Sequence, residues 1–157
     1  MRAGVLTVSD RAAAGRLEDE SGPALRYLLV AAGFDVDSVA VLPDEPDRVA
    51  EFLVAGSAEH DLLVTTGGTG LGPRDRTPEA TRRVIDYEVP GLGELMRSAG
   101  LAKTPMASLS RSLAGVRGST LILNLPGSLA GATESLEAVL PALPHAVQLL
   151  RGDTEHP

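Results

Sequence analysis

Glycines and charged side chains stand together in one segment of the sequence, TTGGTGLGPRDRTPEAT at residues 65–81. Glycines between a strand and a helix let backbone N–H groups approach a phosphate, and the helix dipole adds favourable potential. A side chain at Gly68 would obstruct such a ligand or strain the turn. The segment is neither a Walker A loop nor a dinucleotide fingerprint. A tight turn with packing glycines is the alternative, but Arg74 and Arg76 around Asp75, and the unusual length of the loop, favour a ligand.

Two aspartates, Asp44 and Asp75, are candidates for holding a metal ion. A lone aspartate before a helix usually serves as its cap. Here Thr77 is predicted to be the N-cap of the next helix, which leaves Asp75 free. Carboxylates on neighbouring strand ends suit Mg²⁺, which takes one or two of them and leaves its other positions to water and phosphate oxygens. Asp10 either assists this pair or forms an ion pair with its neighbour Arg11.

Alternating strands and helices must position these residues. Hydrophobic spacing and turn residues predict strands over 3–8, 34–42, 61–66 and 120–125, with a loop and a short strand within 101–118. Helices are predicted over 18–32, 46–55, 77–87, 90–100 and 130–150, the last interrupted at Pro141 and Pro144. This order predicts an α/β fold, a three-layer α/β/α sandwich over a mostly parallel sheet. Residues 1–151 are expected to form one domain, and 152–157 a flexible tail.

Four polar or glycine-bearing loops follow the predicted strands. Because ligands of parallel α/β folds bind outside the carboxyl ends of the strands, these loops are expected to form one functional edge. They comprise Ser9, Asp10 and Arg11; residues 43–45; residues 67–75; and Asn124, Leu125, Pro126, Gly127 and Ser128.

Composition narrows the function further. The net charge of −7 without a basic run argues against nucleic acid or an anionic membrane as partner. Cysteine is absent, which excludes disulfides and thiol nucleophiles. No stretch approaches the ~18 apolar residues of a membrane span, and the apolar start is too short for a signal peptide, so a cytoplasmic protein is expected. The histidines at 60, 145 and 156 lie off the predicted edge and are interpreted as structural. Phosphoryl or nucleotidyl transfer at a Mg²⁺ site fits these residues.

Four longer motifs give the sequence a family resemblance. They are VSDRAAAGRLEDESGPAL, TTGGTGLGPRDRTPEAT, SLSRSLAGVRGSTLILNLPGS and LPALPHAVQLLRGD. The chain resembles the molybdopterin adenylyltransferase family, the MogA and MoaB proteins and the corresponding gephyrin domains, over nearly its whole length. The resemblance implies Mg²⁺-dependent transfer of AMP from ATP to molybdopterin, giving adenylyl-molybdopterin and pyrophosphate in molybdenum cofactor biosynthesis.

The resemblance also implies roles for individual residues. Asp44 and Asp75 are expected to be catalytic and to hold the Mg²⁺. Together with the strand-end loops, it suggests a substrate-binding set of Ser9, Asp10, Gly67, Gly68, Thr69, Gly70, Arg74, Ser110, Asn124, Pro126, Gly127 and Ser128. A homotrimer and hand-over of the product to a molybdenum-insertion protein are further expectations.

Two other functions compete with the enzyme. One is a non-catalytic MoaB-type molybdopterin-binding protein, which has no need of Asp44 and Asp75 as metal ligands. The other is an interaction scaffold of the gephyrin kind, which the lack of a second domain or long linker in this sequence disfavours.

Overall fold

The computed structural model describes residues 1–154. Its strands are β1 (Arg2–Val8), β2 (Asp35–Val36), β3 (Ala40–Leu42), β4 (Leu62–Thr66), β5 (Tyr87–Glu88), β6 (Ala114–Arg117) and β7 (Thr120–Leu125). Its helices are α1 (Asp10–Ala13), α2 (Ser21–Ala31), α3 (Pro46–Ser57), α4 (Thr77–Arg82), α5 (Pro90–Leu101), α6 (Leu129–Val139) and α7 (Leu143–Leu150), with 3₁₀ turns at Pro105–Leu109 and Leu140–Ala142. Part of the predicted tail, including His156, lies outside the described residues.

A single mixed sheet forms the middle layer, with strand order β2-β1-β4-β7-β6-β5 and β3 pairing with β1 as well. The strands β1 to β4 and β7 are parallel, whereas β5 and β6 complete the sheet in antiparallel pairs. The prediction of a mostly parallel sheet is therefore confirmed. Parallel pairing aligns the carboxyl ends of β1, β3, β4 and β7 along one edge, where the four loops emerge.

Helices cover both faces of this sheet. One face packs against α2, α5, α6 and α7 through a core that includes Leu25, Leu29, Met96, Leu136 and Val147. The other face packs against α3 and α4 through a smaller core that includes Val49, Leu53, Ala80 and Ile122. This arrangement is the predicted three-layer sandwich. Within residues 1–154, no helix combines the length and the apolar character needed to cross a membrane.

The predicted strand over 34–42 is wrong in its middle, because the chain forms two short strands there. Between β2 and β3 the carboxylate of Asp37 turns to His60 Nε2 at 2.5 Å and to Arg2 Nη2 at 3.4 Å. The pairing with β1 shifts by one residue there, from Ala3 opposite Val36 to Leu6 opposite Ala40, so the chain carries an extra residue that regular pairing cannot accommodate.

Two predicted helices are shorter in the structure. Helix α2 begins at Ser21 instead of 18, because Asp19 Oδ1 accepts the Gly22 N–H at 3.0 Å in the manner of a cap. Helix α4 ends at Arg82 instead of 87, because the chain then joins the sheet through the Asp86 N–H, which donates to Val116 O at 2.7 Å.

Candidate active site

Two adjoining cavities open at the carboxyl ends of the strands. The acidic cleft has a volume of about 720 Å³ and is lined by residues that include Ser9, Asp10, Asp19, Asp44, Gly67, Gly68, Asp75, Gly127 and Ser128. The serine pocket has a volume of about 380 Å³ and is lined by residues that include Met96, Met106, Ser110, Ser112, Pro126 and Ser128. Ser128 contributes to both walls.

The structure thus gathers most of the predicted site around these cavities. The exceptions are Thr69, Gly70, Arg74 and Asn124, which lie outside both. Asn124 is fully buried within β7, and its Nδ2 donates to Thr65 Oγ1 at 3.0 Å. This contact joins β7 to β4 inside the sheet. Arg74 is held by an ion pair with Asp10.

The backbone N–H of Asp10 and that of Asp44 each bind the carboxylate of the other residue. The Asp10 N–H donates to Asp44 Oδ2 at 2.9 Å, and the Asp44 N–H donates to Asp10 Oδ1 at 3.0 Å. Arg74 Nε also donates to Asp10 Oδ2 at 2.6 Å. The ion-pair alternative for Asp10 therefore holds, but with Arg74 as the partner and not Arg11.

The electrostatics of the two carboxylates differ. Burial raises the pKa of Asp44, and the charges of Asp10 and Asp75 act in the same direction. The hydrogen bond from Arg74 lowers the pKa of Asp10, assisted by the backbone N–H of Asp44. Arg74 therefore neutralises Asp10, while Asp44 stays in a position where a negative charge is unfavourable without a cation.

Glycines are required where the loop leaves β4. Gly67 and Gly68 have φ angles of 101° and 70°, in the left-handed region that side chains disfavour. A Cβ on Gly67 would lie 2.2 Å from Val8 O, and one on Gly68 would lie 2.1 Å from Thr77 Oγ1. The sequence gives two reasons for glycine at position 68, which are that a side chain would obstruct a ligand or would strain the turn. The structure supports strain of the turn.

Asp75 folds back against the glycines of its own loop. Its Oδ2 accepts the Gly72 N–H at 2.9 Å, and its N–H donates to Gly72 O at 3.0 Å. A Cβ on Gly70 would lie 2.9 Å from the same oxygen. The sequence predicts that the Asp75 carboxylate is free of local partners. This prediction is wrong for Oδ2, which accepts the Gly72 N–H. The glycines leave room for the Asp75 side chain beside them.

Thr77 is not the N-cap of α4 but its first residue. Its N–H donates to Gly68 O at 3.1 Å, and its Oγ1 is buried without a hydrogen-bond partner among the described residues. The helix start is thus fixed by the glycine loop. Threonine before proline predicts an N-cap, but Thr77 packs closely against Gly68 and becomes the first residue of α4 instead.

Two residues near the cavities were not predicted as site residues. Asp19 accepts Thr7 Oγ1 at 2.7 Å and the Gly22 N–H at 3.0 Å, which fixes one wall of the acidic cleft. Arg111 reaches the glycine loop from the segment before β6. The Asp-Glu-Ser-Gly run at the start of α2 is a local signal that could have revealed Asp19. No sequence spacing reveals Arg111, because the partners of its side chain are 32 to 41 positions away.

The serine pocket combines apolar walls with hydroxyl groups. Ser110 Oγ and Ser112 Oγ lie 2.9 Å apart, and Ser128 Oγ accepts the Gly131 N–H at 3.1 Å as the N-cap of α6. Met96 and Met106 supply apolar surface. The volume and this mixture suit a flat, polar-edged organic group.

Mg²⁺ fits the acidic cleft better than a metal held entirely by protein. Among residues 1–154, no three or more His, Asp or Glu side chains converge as ligands. Mg²⁺ needs only one or two carboxylates when phosphate oxygens and water complete its shell. Asp44 and Asp75 line the same cleft, and burial, with a smaller contribution from the charges of Asp10 and Asp75, raises the pKa of Asp44, so a cation beside it would relieve an unfavourable negative charge.

Comparison with known proteins decides the family. Residues 4–145 match the family described as "Probable molybdopterin binding domain". The chain belongs to this family.

Individual members of the molybdopterin-binding family are similar over nearly the whole chain. A Helicobacter pylori (strain J99) protein named molybdopterin adenylyltransferase is 47% identical, over 96% of this chain and 88% of its own. The crystal structure of the molybdopterin biosynthesis enzyme MoaB from Thermus thermophilus is 57% identical, with 96% of each chain covered and a TM-score of 0.91. A Synechococcus elongatus molybdenum cofactor biosynthesis bifunctional protein is 40% identical, over 94% of this chain and 47% of its own.

Proposed function

We propose that this protein transfers AMP from ATP to molybdopterin in a Mg²⁺-dependent reaction that releases pyrophosphate. The observation that carries the proposal is the pair of adjoining cavities, one acidic and one lined by serines and apolar groups, with Ser128 in the wall of both. Two substrates of different chemistry can therefore lie side by side. The relatives named molybdopterin adenylyltransferase support this class of enzyme for the chain.

Each cavity suits one part of the substrates. The acidic cleft, with Asp44 and Asp75, takes the ATP phosphates together with Mg²⁺. The serine pocket takes the pterin ring, whose polar edge can bind Ser110 and Ser112 while its faces contact the methionines. The molybdopterin phosphate then extends past Ser128 toward the ATP α-phosphorus.

The chemical step needs positioning and charge neutralisation and no protein nucleophile. A molybdopterin phosphate oxygen forms the new bond to the ATP α-phosphorus, and the bond to the pyrophosphate oxygen breaks. When bound, Mg²⁺ would supply positive charge against the phosphates of both substrates. Asp44 and Asp75 would hold it, and Arg74 reduces the competing negative charge of Asp10.

Pyrophosphate release tests the proposal directly. Protein, molybdopterin, ATP and Mg²⁺ are mixed and pyrophosphate is measured, with a chelator as control. Since the chain has no tryptophan, fluorescence of the bound pterin can be followed in the same samples. We expect pyrophosphate only with Mg²⁺, and pterin binding with or without the chelator. Pterin binding without any pyrophosphate at saturating ATP and Mg²⁺ would identify the non-catalytic carrier instead.

Assembly and organisation complete the proposal. We further propose that residues 1–151 form one molybdopterin-binding domain. This domain acts in the cytoplasm as a homotrimer, and it hands its product to a molybdenum-insertion protein. Exposed apolar side chains outside both cavities support a self-association surface, since Leu95, Leu101 and Leu109 all lie within one stretch of the chain. Light scattering coupled to size-exclusion chromatography tests the trimer, and a monomer at micromolar concentration would contradict it.

A further inference from the structure

One residue holds the backbone of the loop Thr69–Asp75, while the side chain of Arg74 adds an ion pair with Asp10. Inside the loop, Asp75 bonds only to Gly72. Within the part of the chain that the structure describes, every hydrogen bond that reaches the backbone of Thr69–Asp75 from outside comes from Arg111. Because this loop has no strand or helix pairing of its own, the bonds from Arg111 are what order its backbone.

Arg111 contacts this loop at both ends. Its backbone N–H donates to Thr69 O at 2.9 Å, and its Nε donates to Gly70 O at 2.9 Å. Its Nη2 donates to Asp75 O at 2.8 Å, and its Nη1 donates to Glu79 Oε1 in the first turn of α4. The planar guanidinium thus spans the loop and the helix that follows it, which a flexible ammonium group cannot do.

The same segment also forms part of the serine pocket. Ser110 and Ser112, the chain neighbours of Arg111, line that pocket, whereas Asp75 lines the acidic cleft. The side chain of Arg111 is about one-third exposed, at 30%, so its hydrogen bonds are partly shielded from water. A single residue therefore connects the walls of the two cavities.

We propose that Arg111 is a positioning residue, which holds the Asp75 loop in place relative to the serine pocket. It acts through the Gly70 and Asp75 carbonyls and contacts neither substrate. The inference about catalysis rests on the proposed function, whereas the inference about the loop does not. A purely structural ion pair with Glu79 is the competing explanation, and it predicts no special effect on the loop.

Hydrogen exchange separates these explanations without any substrate. The amides of Gly72 and Asp75 report the loop, because each donates a hydrogen bond within it. In Arg111→Lys we expect both amides to exchange about tenfold faster, since charge-assisted bonds to two carbonyls are lost while the charge beside Glu79 is kept. Glu79→Gln keeps both carbonyl contacts and should leave the two amides at the parental rate. Arg83→Lys is the matched control, because Arg83 pairs with the exposed Asp47 outside both cavities.

Steady-state kinetics then tests the link to catalysis. In Arg111→Lys we expect kcat to fall by about 10- to 100-fold with little change in the KM for molybdopterin, since small misplacements of reacting groups reduce the rate steeply. Unchanged exchange in Arg111→Lys would overturn the proposal, and so would faster exchange with an unchanged kcat. Equal effects of Glu79→Gln would favour the structural ion pair. If the parent protein releases no pyrophosphate, the proposed function fails, and the exchange rates still decide the role of Arg111 in the loop.

Discussion

Asp10 and Asp44 each donate a backbone N–H to the carboxylate of the other, at 2.9 and 3.0 Å, and so join the ends of β1 and β3. These two hydrogen bonds hold the Asp44 carboxylate in the cleft, and neither of them comes from a positively charged group. Arg74 pairs with Asp10 instead. Within residues 1–154 the two aspartates therefore differ, because Asp10 forms an ion pair with Arg74 whereas Asp44 forms none.

Asp75→Asn tests the metal role of the second cleft carboxylate. The amide keeps the shape and can still accept the Gly72 N–H, but it removes the charge that would hold Mg²⁺ in the proposed reaction. We expect pyrophosphate release to fall about 10²–10³-fold, or roughly 3–4 kcal/mol in the transition state. Pterin fluorescence titrations should give parental affinity. Asp47→Asn, at an aspartate with an 82% exposed side chain, is the control and should keep full activity. Near-parental turnover of Asp75→Asn would exclude the metal role.

Gly68→Ala tests the close packing beneath the glycine loop. The substitution places a Cβ at a φ of 70° and 2.1 Å from Thr77 Oγ1, so we expect the free energy of unfolding to fall by about 1–3 kcal/mol. The double variant Gly68→Ala/Thr77→Ala removes the Oγ1 contact and should recover part of this loss, about 0.5–1 kcal/mol. Urea unfolding of the four proteins in the cycle measures the coupling. Strict additivity would show that the two residues do not collide.

Asp61→Asn tests an ion pair at the opposite edge of the sheet. Burial opposes ionisation there, but hydrogen bonds from Arg151 and the Arg2 N–H hold the pKa of Asp61 below its ordinary value. Its side chain is only 18% exposed, so we expect the variant to lose about 1–2 kcal/mol at pH 7.

The effect of Asp61→Asn should depend on pH with a definite sign. A lowered carboxyl pKa contributes stability above the unfolded value of about 3.9, and that contribution is lost as pH falls through the folded value. The difference between parent and variant should therefore be complete at neutral pH and shrink below about pH 4. Thermal unfolding from pH 3 to pH 7 measures it, with the exposed Asp153→Asn as a control. A difference that is constant over this range would rule out the ion pair as its cause.

Local patterns predicted much of this molecule. Apolar runs ending in polar residues revealed the strands and the edge where they finish, and hence Asp44 and the glycine loop. The hydrogen-bond partners of these residues could not be predicted in the same way. Arg74 pairs with Asp10 across 64 positions, a separation at which sequence spacing carries no information about contact. Where local signals failed, as at Thr77, packing against another part of the fold determined the outcome.

The contacts of Asp61 also bring the two ends of the described chain together. Its Oδ2 accepts the Arg2 N–H at 2.7 Å and Arg151 Nη2 at 2.7 Å, at the amino-terminal edge of the sheet. Domains whose ends meet away from their working surface tolerate fusion and circular permutation. A short peptide could link the ends, and new ends could be opened at the exposed Gly118 turn between β6 and β7, where a Cβ would find open space. Such a permutant should keep both cavities, because the cut and the join lie at the amino-terminal edge of the sheet, opposite the edge where the cavities open.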